Sequence, residues 1–232
     1  MKPTFALFRA ARRSAALWVV PAVLLTGCAT EPPIDADAYR QRVTRTLAYQ
    51  KGITFSDEQT YPGQVLCGRF SGFAGDGFAE VTDNFIVTPY RVVRRPSALE
   101  KAVYCSDDPL RSLSQAYDVE IDSDGIGRLN KIVADMRAID TAIFDFQRNT
   151  TMMPMSLDAL RESGSITVDE LLLDPWGYRY EYVEELTGRT TPRYKLRTLG
   201  DDNKPGGSGW ARDINKEEVP TIRHALRINE PS

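Results

Sequence analysis

The fold is decided by residues 174–214, which read DPWGYRYEYVEELTGRTTPRYKLRTLGDDNKPGGSGWARDI. Two runs rich in aromatic and β-branched residues, 178–183 and 193–198, predict neighbouring strands. They lead into a loop in which aspartates and glycines lie close together. Glycine lets the backbone fold tightly, and carboxylate and carbonyl oxygens are the ligands that hard cations prefer. The stretch therefore predicts a strand pair and a candidate calcium loop, although a flexible acidic loop has the same composition.

Upstream of this stretch, residues 125–148 predict an amphipathic helix. Its apolar residues recur at steps of three and four and form one stripe: Ile126, Leu129, Ile132, Val133, Met136, Ile139, Ile143 and Phe146. Charged residues, including Asp135, are expected largely off that stripe. Asp122 and Asp124 resemble the start of an EF-hand, but no glutamate follows at the bidentate position, so they are interpreted as the helix cap. Ser156 is predicted to cap a short helix at 157–162.

The order of these segments resembles the major pseudopilin of type II secretion systems, which ends in a DPWG hairpin and a calcium loop. The matching residues are Asp174, Pro175, Trp176, Gly177, Tyr180, Tyr182, Leu199, Gly200, Asp202, Gly206, Gly207, Gly209, Asp213 and Ile214. The resemblance covers residues 125–214 and implies one helix laid on a short antiparallel sheet. It also implies calcium ligands: carboxylates from Asp202 and Asp213, main-chain or hydroxyl oxygens from Thr198 and Leu199, and Asp201 as a further candidate.

Two features depart from the pseudopilin pattern. Arg179 stands where the family usually has proline in the hairpin. At its start, the sequence lacks the family's cleavage site, a glycine followed by Phe-Thr-x-x-Glu, and the long polymer-forming helix after it. The expectation is therefore a pseudopilin-like head domain without assembly into a pilus.

The first 27 residues predict a secretory signal peptide. A basic segment with Lys2 and three arginines precedes a short apolar run at 15–25. The run ends in Leu25-Thr26-Gly27-Cys28, which resembles the lipobox of bacterial lipoproteins. This resemblance implies lipidation of Cys28, with palmitate among the acyl chains, and Ala29 favours the outer membrane. The alternative is an ordinary signal peptide with a chance cysteine. Residues 28–34 are then a lipidated tether, and the protein is expected at the periplasmic face of the outer membrane.

Charge argues against nucleic acid as a partner. Removal of residues 1–27 removes four of the 29 basic residues and none of the 32 acidic ones, which leaves a net charge of about −7. No basic segment dominates the sequence, so binding to a phosphate backbone is not expected.

Residues 35–107 predict a small αβ module that is clamped by a disulfide. A helix at 35–49 is followed by strand-like runs at 64–70, 72–78, 84–87 and 103–105. Cys67 and Cys105 are the remaining thiols, and in an oxidising compartment they are expected to pair. Two free thiols or a metal pair are the alternatives. The chain is thus predicted to be α+β, with this module, a pseudopilin-like domain at 125–214 and a C-terminal tail at 215–232.

The sequence favours a protein that is not an enzyme. A serine hydrolase needs a histidine base, and His224, the one histidine of the chain, is interpreted as part of the polar tail. Glu181, Glu184 and Glu185 are expected on a solvated face, although paired carboxylates also occur in glycosidases. Trp176, Tyr180 and Tyr182 are expected to pack the helix against the sheet, with a ligand platform as the alternative. The leading hypothesis is a calcium-stabilised interaction domain linked to secretion or pilus-like machinery. A free-standing envelope lipoprotein or a periplasmic hydrolase are the alternatives.

Overall fold

The structure is a computed structural model that describes residues 33–47, 51–73, 80–167, 172–185 and 193–229. All of these residues belong to one compact unit. The helices are α1 (Ala36–Arg45), α2 (Ala98–Tyr104), α3 (Pro109–Tyr117), α4 (Ser123–Thr150), α5 (Leu157–Glu162) and α6 (Val219–Ile228). The strands are β1 (Lys51–Tyr61), β2 (Val65–Phe73), β3 (Glu80–Val87), β4 (Val92–Arg94), β5 (Glu181–Glu185), β6 (Arg193–Thr198) and β7 (Ile214–Asn215). Helices and antiparallel sheets occupy separate stretches, as the predicted α+β class requires.

The first sheet has the strand order β1-β2-β3-β4, and all its pairs are antiparallel. Helix α1 begins after Asp35, whose carboxylate accepts the Ala38 N–H at 3.0 Å. Val43 of α1 and Leu47 are buried against Phe70 of β2. The predicted helix at 35–49 therefore exists and ends earlier, at Arg45.

Two strand predictions in this region differ from the structure. Residues 103–105 are not a strand. Val103 and Tyr104 end α2, a helix that Ser97 and Glu100 start with a reciprocal capping box. Strand β1 was not predicted, because its apolar alternation is limited to Ile53 and Phe55 and two register shifts interrupt the two-residue period. Of the predicted run at 72–78, residues 72 and 73 continue β2, and the others lie outside the described residues.

The predicted pairing of Cys67 with Cys105 is confirmed. A disulfide joins Cys67, near the start of β2, to Cys105, the residue that directly follows α2. The bond therefore links a central strand to a helix end instead of joining two strands.

The second sheet has the order β5-β6-β7 and lies with α4 in the larger core. The predicted helix is present with both ends extended slightly, and Asp122 caps it by accepting the Gly125 N–H at 2.8 Å. Leu129, Ile132 and Ile139 are fully buried, as the stripe predicts. The expected arrangement of one amphipathic helix on a short antiparallel sheet is confirmed.

Residues 215–232 were predicted as a tail, and this prediction is wrong for the described part. Helix α6 buries Val219, Ile222, Ala225 and Leu226 in the same core as α4. These apolar residues recur at helical spacing, so the signal was present in the sequence and was missed. Tyr117 of α3 also enters this core and donates its hydroxyl to Glu218 at 2.9 Å. The proposed division between residues 35–107 and 125–214 stays a prediction.

Among the described residues, the helices include none with the length and apolarity needed to cross a membrane. The predicted signal peptide and the predicted lipidation site at Cys28 lie outside the described residues.

Candidate metal-binding loop and its supporting turn

Asp174 organises the turn that opens the decisive stretch. One carboxylate oxygen accepts the N–H groups of Trp176 at 3.0 Å and Tyr178 at 2.9 Å. The Asp174 main-chain N–H donates to the Tyr178 carbonyl at 2.7 Å, and its carbonyl accepts the Gly177 N–H. A short aspartate side chain favours such local bonds, which is why the residue suits a turn. The side chain is only 2% exposed, so these bonds satisfy a buried carboxylate.

The second carboxylate oxygen ties this turn to the loop. It accepts the hydroxyl of Thr198, the last residue of β6, and this hydroxyl in turn accepts the Gly200 N–H at 3.2 Å. Thr198 is fully buried. A chain of hydrogen bonds therefore runs from the DPWG turn to the first glycine of the loop.

The loop folds back on itself at two close backbone approaches. Gly200 and Gly207 both have positive φ, and an added Cβ would lie 2.4 Å from the Trp210 carbonyl oxygen or 2.3 Å from that of Ala211. Asp201 donates its N–H to the Trp210 carbonyl at 2.9 Å. At both positions a side chain is excluded by sterics as well as by φ, so glycine is required.

The three aspartates of the loop have different surroundings. Asp213 is mostly buried, and its two oxygens accept the Gly206 N–H at 3.0 Å and the Arg197 Nη1 at 2.6 Å. Asp202 accepts the Lys204 N–H at 3.0 Å and is exposed, as is Asp201.

Arg197 is held from both sides. Its Nε also donates to Glu181 on β5, and this hydrogen bond raises the pKa of Arg197 above its usual range. The guanidinium thus bridges the hairpin to Asp213, and it brings a positive charge to the edge of the loop.

This arrangement does not form a closed metal site. Both oxygens of Asp213 and the hydroxyl of Thr198 already have protein partners, while Asp201 and Asp202 project from the exposed side of the loop. Across the described ranges, no three acidic, histidine or cysteine side chains converge closely enough to hold an ion. A calcium ion that used Asp213 would compete with Arg197 for this carboxylate. Calcium at Thr198, Leu199, Asp201, Asp202 and Asp213 stays a prediction from the resemblance.

Aromatic side chains pack the loop onto the long helix. The rings of Trp176 and Trp210 lie 6.1 Å apart, and the Arg128 guanidinium lies 5.5 Å from the Trp210 ring. A Cβ at Gly125, in the first turn of α4, would lie 2.9 Å from the Trp210 ring. The glycine near the helix start therefore makes room for the indole, and the aromatics here act in packing.

One polar contact between α4 and the DPWG hairpin could not be predicted from the sequence. Asp135 is 4% exposed although it was expected off the apolar stripe, and it accepts the Tyr180 hydroxyl at 3.0 Å and the Lys131 ammonium at 2.6 Å. Burial, followed by the Asp135 charge, raises the pKa of Tyr180 well above its usual range. The i to i+4 spacing of Lys131 and Asp135 was visible in the sequence, but the tyrosine that buries the pair comes from a distant segment.

The C-terminal part of the chain is similar to a known family of proteins. Residues 121–217 match the family model of type II secretion system (T2SS), protein G. The type II secretion system core protein G of Xanthomonas campestris pv. campestris is 30% identical over 96 residues, which cover 38% of this chain and 65% of that relative. The chain therefore spans less than two thirds of the relative's length. The C-terminal domain is pseudopilin-like.

Proposed function

We propose that the chain is an exported lipoprotein that presents its pseudopilin-like domain to type II secretion or related machinery and is not an enzyme. The observation that carries this proposal is the match of residues 121–217 to the protein G family. The buried α4 stripe and the DPWG turn occur where that match lies. The relative from Xanthomonas is a core protein of its secretion system by name, so a role beside such machinery is the simplest function for the domain.

The anchor in this proposal is Cys28 at the outer membrane. Its support is the basic segment, the short apolar run and the lipobox-like residues that end at Cys28. Several acyl chains on one cysteine hold a protein at a membrane more firmly than a single chain. Cells grown with labelled palmitate test the anchor: wild type is expected to carry the label and to fractionate with outer membranes, and Cys28→Ser is expected to do neither. Equal labelling of both would refute lipidation at this residue.

The partner is tested by cross-linking in intact cells followed by purification of the wild-type protein. Secretion components are expected to be captured with it. The control is an unrelated outer-membrane lipoprotein that is cross-linked and purified in the same way. If no secretion component is captured above the level of an unrelated outer-membrane lipoprotein, the free-standing envelope lipoprotein becomes the better hypothesis.

Calcium belongs to the proposal as a stabilising ion that competes with Arg197 for Asp213. The support is the donor chemistry of the loop, in which carboxylates and carbonyls lie on a glycine-rich backbone with little apolar burial. Isothermal titration with calcium on the chelator-treated protein is expected to show one site that weakens when Asp202 is changed to Ala. Absence of heat beyond dilution would remove calcium from the function.

A further inference from the structure

An arginine-lined cavity lies between the first sheet and α6. Its volume is about 160 Å³. The turn between β3 and β4 supplies Tyr90 and Arg91, and α6 supplies Arg223, His224 and Arg227. Tyr104 at the end of α2 completes the wall. None of these residues belongs to the loop or to the DPWG turn.

The charge of this cavity is opposite to that of the chain. Acidic residues outnumber basic ones in the chain, 32 to 29, yet the described residues that line the cavity include three arginines and no carboxylate. The acid nearest in contact is Glu100, which accepts a hydrogen bond from Arg91 at 3.1 Å. Arg223 and Arg227 are exposed. Three positive charges with one paired carboxylate create a local positive potential that attracts anions.

The groups behind the arginines hold the cavity in shape. The Tyr104 hydroxyl donates to the Pro220 carbonyl at 3.0 Å and accepts from Arg91 at 3.2 Å, while its ring lies 4.5 Å from the His224 imidazole. The Arg227 guanidinium lies 5.8 Å from the ring of Tyr90, which is 78% exposed at the rim. The positively charged wall is therefore fixed by contacts from three different elements.

His224 lies behind the arginines and is sensitive to their charge. Its Nε2 and the Arg91 Nε are both inaccessible and lack a protein hydrogen-bond partner among the described residues. Burial, and then the charges of Arg227 and Arg91, lower the pKa of His224 to about 4. Buried polar atoms without partners are costly, so a wall that keeps them beside several guanidinium groups is built for something other than stability.

We propose that this cavity binds a phosphate group through the guanidinium groups of Arg223, Arg227 and Arg91. The planar fork of guanidinium matches the oxygens of phosphate and makes charge-assisted hydrogen bonds to two of them at once. The cavity has room for one phosphate group, and the exposed Tyr90 ring at its rim would contact the group that is esterified to the phosphate. The same chemistry is offered by a phospholipid headgroup and by a soluble phosphate.

The test uses the single histidine of the chain as a reporter. The full-length protein, purified without a histidine tag, is titrated with inorganic phosphate at pH 7 and constant ionic strength, and the His224 imidazole signal is followed by proton NMR. Wild type is expected to show a saturable shift that chloride does not produce. The double variant Arg223→Gln/Arg227→Gln is expected to bind about tenfold more weakly or worse, since two charge-assisted contacts are lost. Both side chains are exposed, so the variant is expected to keep the wild-type circular dichroism spectrum.

The matched control is Arg148→Gln, which removes an exposed arginine from α4 outside the cavity and is expected to leave phosphate affinity unchanged. A second titration with a short-chain phosphatidylglycerol below its micelle concentration separates the sources. Tighter binding of the lipid assigns the site to a membrane headgroup, and tighter binding of inorganic phosphate assigns it to a soluble phosphate. The inference is overturned if neither probe gives a saturable shift in wild type, or if the double variant binds as tightly as wild type.

Discussion

Replacement of Asp174 tests whether the DPWG turn is held by its buried carboxylate. Asp174→Ala removes the acceptor for three hydrogen bonds, two from main-chain N–H groups and one from the Thr198 hydroxyl. A buried donor that loses its acceptor costs about 1–3 kcal/mol. Thr198 is fully buried and takes the full cost, whereas the N–H groups of Trp176 and Tyr178 lie nearer the surface and regain water in part.

The free energy of unfolding is therefore expected to fall by about 3–5 kcal/mol in Asp174→Ala. Asp174→Asn keeps one oxygen for the two N–H groups but sets an NH₂ against the Thr198 hydroxyl, which already accepts from Gly200. A loss of about 1–2 kcal/mol is expected for this variant. Asp202→Ala, which removes one exposed local contact, is expected to stay within about 0.5 kcal/mol of wild type.

Urea unfolding in the presence of chelator, followed by tryptophan fluorescence, measures all three variants without a contribution from calcium. Trp176 and Trp210 report directly because their rings lie beside each other between the turn and the loop. An unchanged m-value is required so that the midpoint shift reads as stability. If Asp174→Ala unfolds within about 1 kcal/mol of wild type, the hydrogen bonds of this carboxylate do not hold the turn.

Three further predictions concern other parts of the fold. Arg197→Gln frees Asp213 for a cation, so chelator is expected to lower the melting temperature more in this variant than in wild type. Equal shifts would show that Arg197 and calcium do not compete for Asp213. His224 has a folded pKa of about 4, below its unfolded value, so the stability it gives is complete above about pH 6.5 and is lost as the pH falls toward 4. The free energy of unfolding is expected to fall less between pH 7 and pH 5 in His224→Gln than in wild type, by about 1 kcal/mol after allowance for the partial exposure of His224. Equal falls in the two proteins would contradict this prediction. Reduction of Cys67–Cys105 opens a loop of 38 residues and is expected to cost about 4 kcal/mol on the chain-entropy model, measured by urea unfolding with and without reductant.

The periodic parts of this fold were predictable from the sequence, because burial of one face imposes a spacing that the residues show. Helix α4 extends its predicted range by two residues at each end, and the start of α5 is the one predicted. Strand β1 was not predicted because its apolar period covers only Ile53 and Phe55, while the rest of this edge strand is mostly polar and exposed. Helix α6 was missed for a different reason: charged residues between its apolar positions gave the segment a polar average that hid its spacing.

The candidate loop shows what residue types alone do not decide. Asp174, Asp202 and Asp213 carry the same side chain within one stretch, and the sequence assigned the last two to a metal and gave the first no role of its own. In the fold, Asp174 is enclosed by three donors, Asp213 is claimed by Arg197 and a main-chain N–H, and Asp202 meets solvent. The three carboxylates differ in the donors that reach them. The pairing of β6 with β7 brings Arg197 close to Asp213.

That pairing has a consequence for how the pseudopilin-like domain is stabilised. Arg197 of β6 lies opposite Asn215 of β7, next to the pair formed by Thr198 and Ile214. The loop connects these two strands, so their pairing positions the Arg197 guanidinium at the edge of the loop. The positive charge of Arg197 lets Asp213 be buried without a metal ion. A cation that bound Asp213 would first have to break the ion pair between Asp213 and Arg197. Because Glu181 also holds Arg197, that step breaks only one of two ion pairs, and the arginine stays on the hairpin when the aspartate leaves. For the proposed calcium site, we therefore expect Arg197 and the ion to be alternative partners of Asp213, with the sheet retained in both cases.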